Sequence, residues 1–162
     1  MKIDYDKYDI FIFDLDKTLW DSFDVVGKSI WAKQLILPYK LEGNKILDDV
    51  NSSCVLKPGA REYLNFLASK NKKIGFLSSG KLWGTEYENQ PSVKILKIFN
   101  LYDFFNFKKE LLYKTFSKNQ CLKELSGCIF FDDNDDVIKE ARELKNVEVV
   151  DSKKIENWKH LI

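Results

Sequence analysis

The stretch Asp9-Ile10-Phe11-Ile12-Phe13-Asp14-Leu15-Asp16-Lys17-Thr18-Leu19 constrains the fold more than any other part of the chain. Its apolar run, Ile10–Phe13, is four residues long and is bounded by acids on both sides. A run this short, built from Ile and Phe, fits a strand buried in a parallel sheet better than a helix. The run stops at Asp14, with a second carboxylate at Asp16 and a hydroxyl at Thr18. Like charges so close together resist burial, so two carboxylates just past a strand end call for a cation or a substrate that uses them. In open α/β sheets, the carboxyl ends of the strands are where ligands bind.

Similar runs recur along the chain. Residues 73–77 end at Ser78-Ser79-Gly80, residues 128–131 end at Asp132-Asp133, and residues 147–150 form the last clear run. Helical patterns separate them. Pro58 suits a first helical turn, followed by Tyr63, Leu64, Phe66 and Leu67 on one face. Residues 92–99 follow Pro91 in the same way, and residues 134–144 open with acids that suit the positive end of a helix dipole. The alternation predicts an α/β fold: a doubly wound parallel sheet with helices on both faces.

Residues 21–56 break this alternation. The pattern predicts a short amphipathic helix over residues 25–37, carrying Trp31, and then a hairpin over residues 39–50 turning at Glu42-Gly43-Asn44. The segment is too short for a separate cap domain, so a flap within one domain spanning residues 1–162 is expected. Residues 152–160, with Ile155 and Trp158, are expected to form a terminal packing helix that leaves His160 without a role, and Lys108-Lys109 a solvated strand or loop end.

Composition narrows the function classes. With 26 basic and 25 acidic residues, the chain offers no electrostatic footprint for nucleic acid or an anionic membrane. Three cysteines without a CxxC pair and a single histidine argue against a zinc site and for reduced thiols. No apolar stretch approaches a membrane span and no signal-peptide core is present, so a cytoplasmic protein is expected.

Asp14/Asp16/Thr18, Ser78/Ser79 and Asp132/Asp133 each end an apolar run, and a parallel sheet brings all three groups to one edge. A lysine from residues 113–118 can join them. Phosphoryl transfer requires this inventory: an in-line nucleophile, a hard cation and an ammonium for the equatorial oxygens, and a hydroxyl to position one of them. Mg²⁺ prefers oxygen ligands and keeps several waters, so two or three carboxylates plus a substrate oxygen suffice.

These residues resemble a known family. Phe13-Asp14-Leu15-Asp16-Lys17-Thr18-Leu19 resembles the first motif of haloacid-dehalogenase-like phosphatases, Ser78 the second, and Phe130-Phe131-Asp132-Asp133 the fourth. The run continued through Trp20, Ile129-Phe130-Phe131-Asp132-Asp133, and Glu110-Leu111-Leu112-Tyr113 before Ser117-Lys118 is similar to the capless magnesium-dependent phosphatase-1 subfamily. The likeness spans roughly residues 8–150. It implies Asp14 as the nucleophile that becomes an aspartyl phosphate and as a ligand of Mg²⁺, and Asp16 as the acid and then base, its carbonyl also meeting Mg²⁺. It further implies Asp133 as a metal ligand, Asp132 as a water-mediated one, and Ser78, with Ser79 and Thr18, as holding phosphoryl oxygens. Lys118 matches the family's local pattern and is the favoured catalytic lysine, while Lys114 gives the more ordinary spacing to Asp132. Two departures bear on substrate: Ser78-Ser79-Gly80 replaces the subfamily's Ser-Arg-Thr, and Val137 stands where an asparagine is usual, leaving Asp135 or Asp136 to complete the metal shell.

Phosphotyrosine-bearing protein or a phosphosugar is the substrate the resemblance implies. Phosphorylated nucleic-acid ends are a second substrate class, disfavoured by the neutral charge balance. A receiver-like phospho-acceptor domain and an inactive scaffold are the rivals from other classes; receivers carry the acceptor Asp after a later strand, whereas here it follows the first. Simpler readings stand beside these: Asp135 and Asp136 as an acidic helix start, Ser78 as a loop cap, and Trp20, Trp31 and Trp83 as core rather than pocket.

Overall fold

A computed structural model describes residues 2–162. The first strand is β1 (Ile10–Phe13), every residue of which is buried. After a tight turn come five short strands: β2 (Trp20–Phe23), β3 (Ser29–Ile30), β4 (Lys40–Glu42), β5 (Lys45–Leu47) and β6 (Ser53–Leu56). Helices and strands then alternate through α1 (Ala60–Ser69), β7 (Lys73–Ser78), α2 (Pro91–Ile98) and β8 (Lys109–Leu111). They continue through α3 (Lys118–Lys123), β9 (Cys128–Asp132), α4 (Asp135–Ala141) and β10 (Val147–Asp151).

Local chemistry sets these boundaries. Pro91 is the first residue of α2, where its missing N–H has no helical partner to lose. The Asn134 side chain accepts N–H bonds from Asp136 and Val137 and so starts α4, and Ser117 accepts from Asn119 to start α3. Helix α1 begins two residues after Pro58, because Gly59 intervenes with a left-handed φ of +76°. The C-terminal segment crosses this turn: the Trp158 N–H donates to the Pro58 carbonyl at 2.9 Å.

Two sheets result, making the protein α/β with a parallel and an antiparallel layer. The parallel sheet has the order β10-β9-β1-β7-β8. In register, Phe13 lies beside Phe76 on one side and Phe131 on the other. Alternate residues point to opposite faces, so Phe11, Phe13, Phe76 and Phe131 join one core with Tyr63 and Leu64 of α1 and Val93 and Leu96 of α2. Ile10, Ile12, Leu77 and Phe130 join the other, with Leu122 of α3 and Ala141 of α4. The larger core is aromatic: the Phe13 and Phe131 rings stack at 4.7 Å, with Tyr63 edge-on to both and Trp158 tilted against them.

The antiparallel sheet, in the order β3-β2-β6-β5-β4, is built by the segment that broke the alternation. The hairpin over residues 39–50 forms, as β4 and β5 joined at Gly43-Asn44. The helix expected over residues 25–37 does not. Asp24 accepts N–H bonds from Val26 and Lys28, Gly27 adopts φ +85°, and the chain folds back as β3, leaving only a 3₁₀ turn at Ala32–Gln34. Val25 and Val26 are exposed, so no apolar helical face exists there to bury. The terminal packing helix is also absent: Asp151 and Asn157 each cap a separate 3₁₀ turn, although Trp158 is fully buried as a packing residue. Lys109 opens the edge strand β8. Among the described residues, no helix is long and apolar enough to cross a membrane.

Gly59 tests this packing. A Cβ there would lie 2.4 Å from Asn157 Oδ1 and 2.6 Å from the Lys159 backbone nitrogen. Gly59→Ala therefore combines left-handed strain with a clash against main chain, and is expected to lower unfolding free energy by about 2–4 kcal/mol in urea denaturation.

Candidate active site

Three parallel strands end at one edge, and each delivers a polar group there. The Asp14 N–H donates to the Phe131 carbonyl at 2.8 Å, extending the β1–β9 ladder one residue beyond the strand and fixing the Asp14 backbone beside β9. Asp132 is the last residue of β9, and Ser78 the last of β7. Lys118, the first residue of α3, inserts its ammonium between the two acids: Nζ lies 2.6 Å from Asp14 Oδ1 and 2.7 Å from Asp132 Oδ2. All three residues are buried. Asp132 is held further by the Asn134 N–H, which donates to its Oδ1 at 2.8 Å.

Asp133 completes the cluster. Among the described residues, Asp14, Asp132 and Asp133 are the one group of three His, Cys, Asp or Glu side chains that each offer a ligand atom, here a carboxylate oxygen, within 4.8 Å of the others. The donors are all oxygen, which suits a hard divalent ion such as Mg²⁺ or Ca²⁺ rather than a soft one. Three carboxylates against one ammonium also leave a net negative charge that such an ion would balance. The cluster therefore fits a divalent cation.

Asp16 sits next to this group in a different environment. The turn after β1 is closed by N–H bonds from Thr18 and Leu19 to the Leu15 carbonyl, with Lys17 at φ +63°. It returns the chain so that the indole N–H of Trp20 donates to Asp16 Oδ1 at 2.9 Å, and the Ala32 N–H donates to the same oxygen at 3.0 Å. A cleft of about 460 Å³ opens over Asp14, Asp16, Ser78, Lys118, Asp132 and Asp133. Ser79 and Gly80 form part of its wall, Lys33 and Lys114 line it, and the half-exposed rings of Trp31 and Phe116 flank it.

The electrostatics follow from burial. Asp14 has its pKa pushed well above the usual carboxylate range by burial; Lys118 opposes the rise and Asp132 and Asp133 add to it. Burial likewise raises Asp16, against the Trp20 and Ala32 hydrogen bonds, and raises Asp133, with the neighbouring Asp132 adding to the rise. Burial works against the Lys118 ammonium, but Asp14 and Asp132 outweigh it and hold the amine protonated above its ordinary range. The thiols offer no competing nucleophile: burial pushes Cys128 up to about 12, and burial with Glu110 pushes Cys121 up to about 11.

Most residues singled out in the sequence meet here, and several do not. Thr18, expected to hold phosphate, is fully buried away from the cleft with Oγ1 3.0 Å from Ser152 Oγ. The turn that aims Asp16 at the flap directs Thr18 toward the C-terminal segment, so its hydroxyl ties β1 to the end of the chain. Lys118, not Lys114, contacts Asp14; Lys114 stands exposed at the cleft. Asp135 pairs with Lys153, and Asp136 lies outside the carboxylate cluster, so both belong to the acidic first turn of α4. Trp20 is fully buried, Trp31 lines the cleft, and Trp83 is 85% exposed beside Tyr113. The Ala32 amide, Lys33 and Phe116 were not anticipated; a backbone donor leaves no trace in residue identity, and the flap folds differently from its apolar pattern.

No protein-family model matches this chain, and no curated protein matches it. The cluster makes a stability test of its own. Because the Asp133 carboxyl has a raised pKa in the fold, the native state binds more protons than the unfolded chain above about pH 4, and stability of the metal-free protein falls as pH rises through the raised value. Asp133→Asn is expected to stabilise the metal-free protein at pH 7 by about 0.5–1 kcal/mol, a modest figure because solvent screens this partly open group. The gain shrinks as pH is lowered toward about 4, as read by urea unfolding across that range.

Proposed function

We propose that this protein is a Mg²⁺-dependent phosphomonoester hydrolase of the haloacid-dehalogenase-like type, working through an aspartyl-phosphate intermediate. The observation that carries the reading is the Lys118 ammonium bridging Asp14 and Asp132 at the carboxyl edge of the sheet, with the Asp16 carboxyl beside them in the same cleft. The strand order supports it too. The chain starts at the centre of the sheet and builds outward to β7-β8 on one side and β9-β10 on the other, as a doubly wound fold does. The antiparallel flap beside the cleft, with no further folded unit over it among the described residues, agrees with a capless member of that type.

In this reading an Asp14 oxygen attacks phosphorus, forming an acyl phosphate as the bond to the ester oxygen breaks. Asp16 gives its proton to that departing oxygen. Asp16, now ionised, takes a proton from water, whose oxygen attacks the aspartyl phosphate and releases inorganic phosphate. Lys118 opposes the rise in the Asp14 pKa that burial causes and would present positive charge to the phosphoryl oxygens, and the Ser78 and Ser79 hydroxyls would donate to them. A divalent ion held by Asp14, Asp133 and Asp132, with the Asp16 carbonyl, would supply the remaining charge neutralisation.

The cleft is lined by Trp31, Phe116, Lys33 and Lys114, a combination that suits a phosphotyrosine-bearing protein or a phosphosugar, whose rings lie flat on aromatic surfaces. Free, buried Cys54 and Cys128 fit a reducing cytoplasmic setting.

Hydrolysis of p-nitrophenyl phosphate, stimulated by Mg²⁺ and abolished by EDTA, is the expected outcome. Asp14→Asn should fall to background, and Asp16→Asn should lose about 10²–10⁴-fold in kcat. A stable phosphoryl-Asp14 without turnover would overturn the hydrolase in favour of a phospho-acceptor switch. Lys118→Met strands two buried carboxylates and should destabilise the metal-free protein by about 3–5 kcal/mol in chemical denaturation.

A further inference from the structure

The two oxygens of Asp16 have unequal surroundings. Oδ1 accepts two N–H bonds, from the Trp20 indole at 2.9 Å and the Ala32 amide at 3.0 Å. Oδ2 accepts no hydrogen bond among the described residues. It lies 3.7 Å from where a Cβ on Gly80 would stand, and Gly80 is part of the cleft wall. An oxygen that accepts two N–H bonds has its lone pairs engaged, so a proton on this carboxyl resides on the other oxygen.

Both donors come from the flap rather than from the parallel sheet. Trp20 opens β2, opposite Leu56 of β6, and Ala32 opens the 3₁₀ turn that follows β3. Trp20 and Ala32 are fully buried, so neither donor is free to swing away. A buried indole needs some acceptor for its N–H, and a backbone carbonyl would satisfy it equally well. Here the acceptor is one oxygen of the acid that faces the cleft.

We infer that Trp20, together with the Ala32 amide, is a positioning residue for proton transfer: it pins Asp16 Oδ1 and so presents Oδ2, with its proton, to the departing ester oxygen. This rests on the hydrolase reading above. In the first displacement the Asp14–phosphorus bond forms, the phosphorus–ester oxygen bond breaks, and the proton on Asp16 Oδ2 passes to that oxygen. Trp20 touches neither substrate nor phosphorus. Its contribution therefore scales with how much the leaving group needs a proton. An alkoxide needs one, whereas a dinitrophenolate leaves without it.

Leaving-group dependence supplies the test, with Mg²⁺ present and two substrates, an alkyl phosphate and 2,4-dinitrophenyl phosphate. Trp20→Phe should lower kcat on the alkyl ester by about tenfold or more, part of the ~10²–10⁴ that a general acid supplies. On the dinitrophenyl ester kcat should fall by less than about threefold, with KM unchanged on both. Should Trp20→Phe fail to fold, β-(3-benzothienyl)alanine at position 20 keeps the fused ring, replaces the N–H by sulfur, and should give the same split. A second readout needs neither metal nor turnover: in the metal-free protein the Trp20 indole N–H proton resonance should lie downfield and move upfield in Asp16→Ala. Equal losses on both esters, full retention on the alkyl ester, or an indole resonance indifferent to Asp16→Ala overturns the positioning role alone. A parent protein that hydrolyses neither ester overturns the hydrolase reading, and this inference with it.

Discussion

The ion pair of Lys118 with Asp14 and Asp132 is the interaction on which the arrangement of this protein turns. Removing charges from water costs several kcal/mol per ion, and mutual attraction offsets that only when distances are short and the remaining lone pairs are satisfied. Both conditions hold: the two contacts are 2.6 and 2.7 Å, and the second oxygen of Asp132 accepts the Asn134 N–H. Meeting them requires β1 and β9 to be neighbours, so that two acids from distant parts of the sequence end side by side. It also requires α3 to begin where its first residue can reach both.

The apolar packing behind the edge keeps these acids in place. Phe13 and Phe131 precede Asp14 and Asp132 in adjacent strands and stack at 4.7 Å, so the ring contact and the Asp14 N–H bond to Phe131 fix the same register. Tyr63 and Trp158 pack against that pair, which makes the crossing of the C-terminal turn over Pro58-Gly59 part of the same construction. Thr18 adds a second tie through Ser152. A site built on strand ends and backed by interlocked rings is held more rigidly than one built on loops, as the proposed recognition of a phosphoryl group would demand.

The sequence is legible where one physical effect dominates. Strands buried on both faces read as unbroken apolar runs rich in Ile and Phe, as in β1 and β9; β7 was visible from Ile74, Phe76 and Leu77 around Gly75, and the half-buried edge strand β10 from its β-branched valines. Capping chemistry marked the start of α2 at Pro91 and of α4 at Asn134. Elements held by polar backbone contacts were hidden. The apolar spacing of Val25, Val26, Trp31 and Leu37 suggested a helix, but the Asp24 side chain and Gly27 close a turn that leaves both valines in solvent. Strand β8 is a polar three-residue edge whose only strand partner in its sheet is β7, so little in its sequence signals burial. At the cleft, the acids were visible as charges ending apolar runs. Local pattern favoured Lys118 over Lys114 while spacing to Asp132 pointed the other way, because each lysine's reach depends on where α3 starts relative to β9 rather than on residue type.

Asp14 and Asp16 lie two residues apart and have nearly the same burial, yet their surroundings divide their roles. Asp14 faces the Lys118 ammonium, which opposes the burial and the neighbouring acids Asp132 and Asp133 that raise its pKa; in the proposed reading a cation held there would add to that opposition and favour the ionised nucleophile. Asp16 accepts neutral N–H bonds on one oxygen, Lys118 and Lys17 add weaker opposing charges, and burial outweighs them all and raises its pKa. Burial raises both carboxyls, so what distinguishes them is the partner each faces, an ammonium for Asp14 and neutral N–H donors for Asp16, a difference that the proposed nucleophile and general acid would use. The division arises from topology: the parallel sheet supplies the charges around Asp14, while the antiparallel flap supplies the neutral donors around Asp16. In the proposed reading the flap would thus set the chemistry of Asp16, by holding one carboxyl oxygen and leaving the other free.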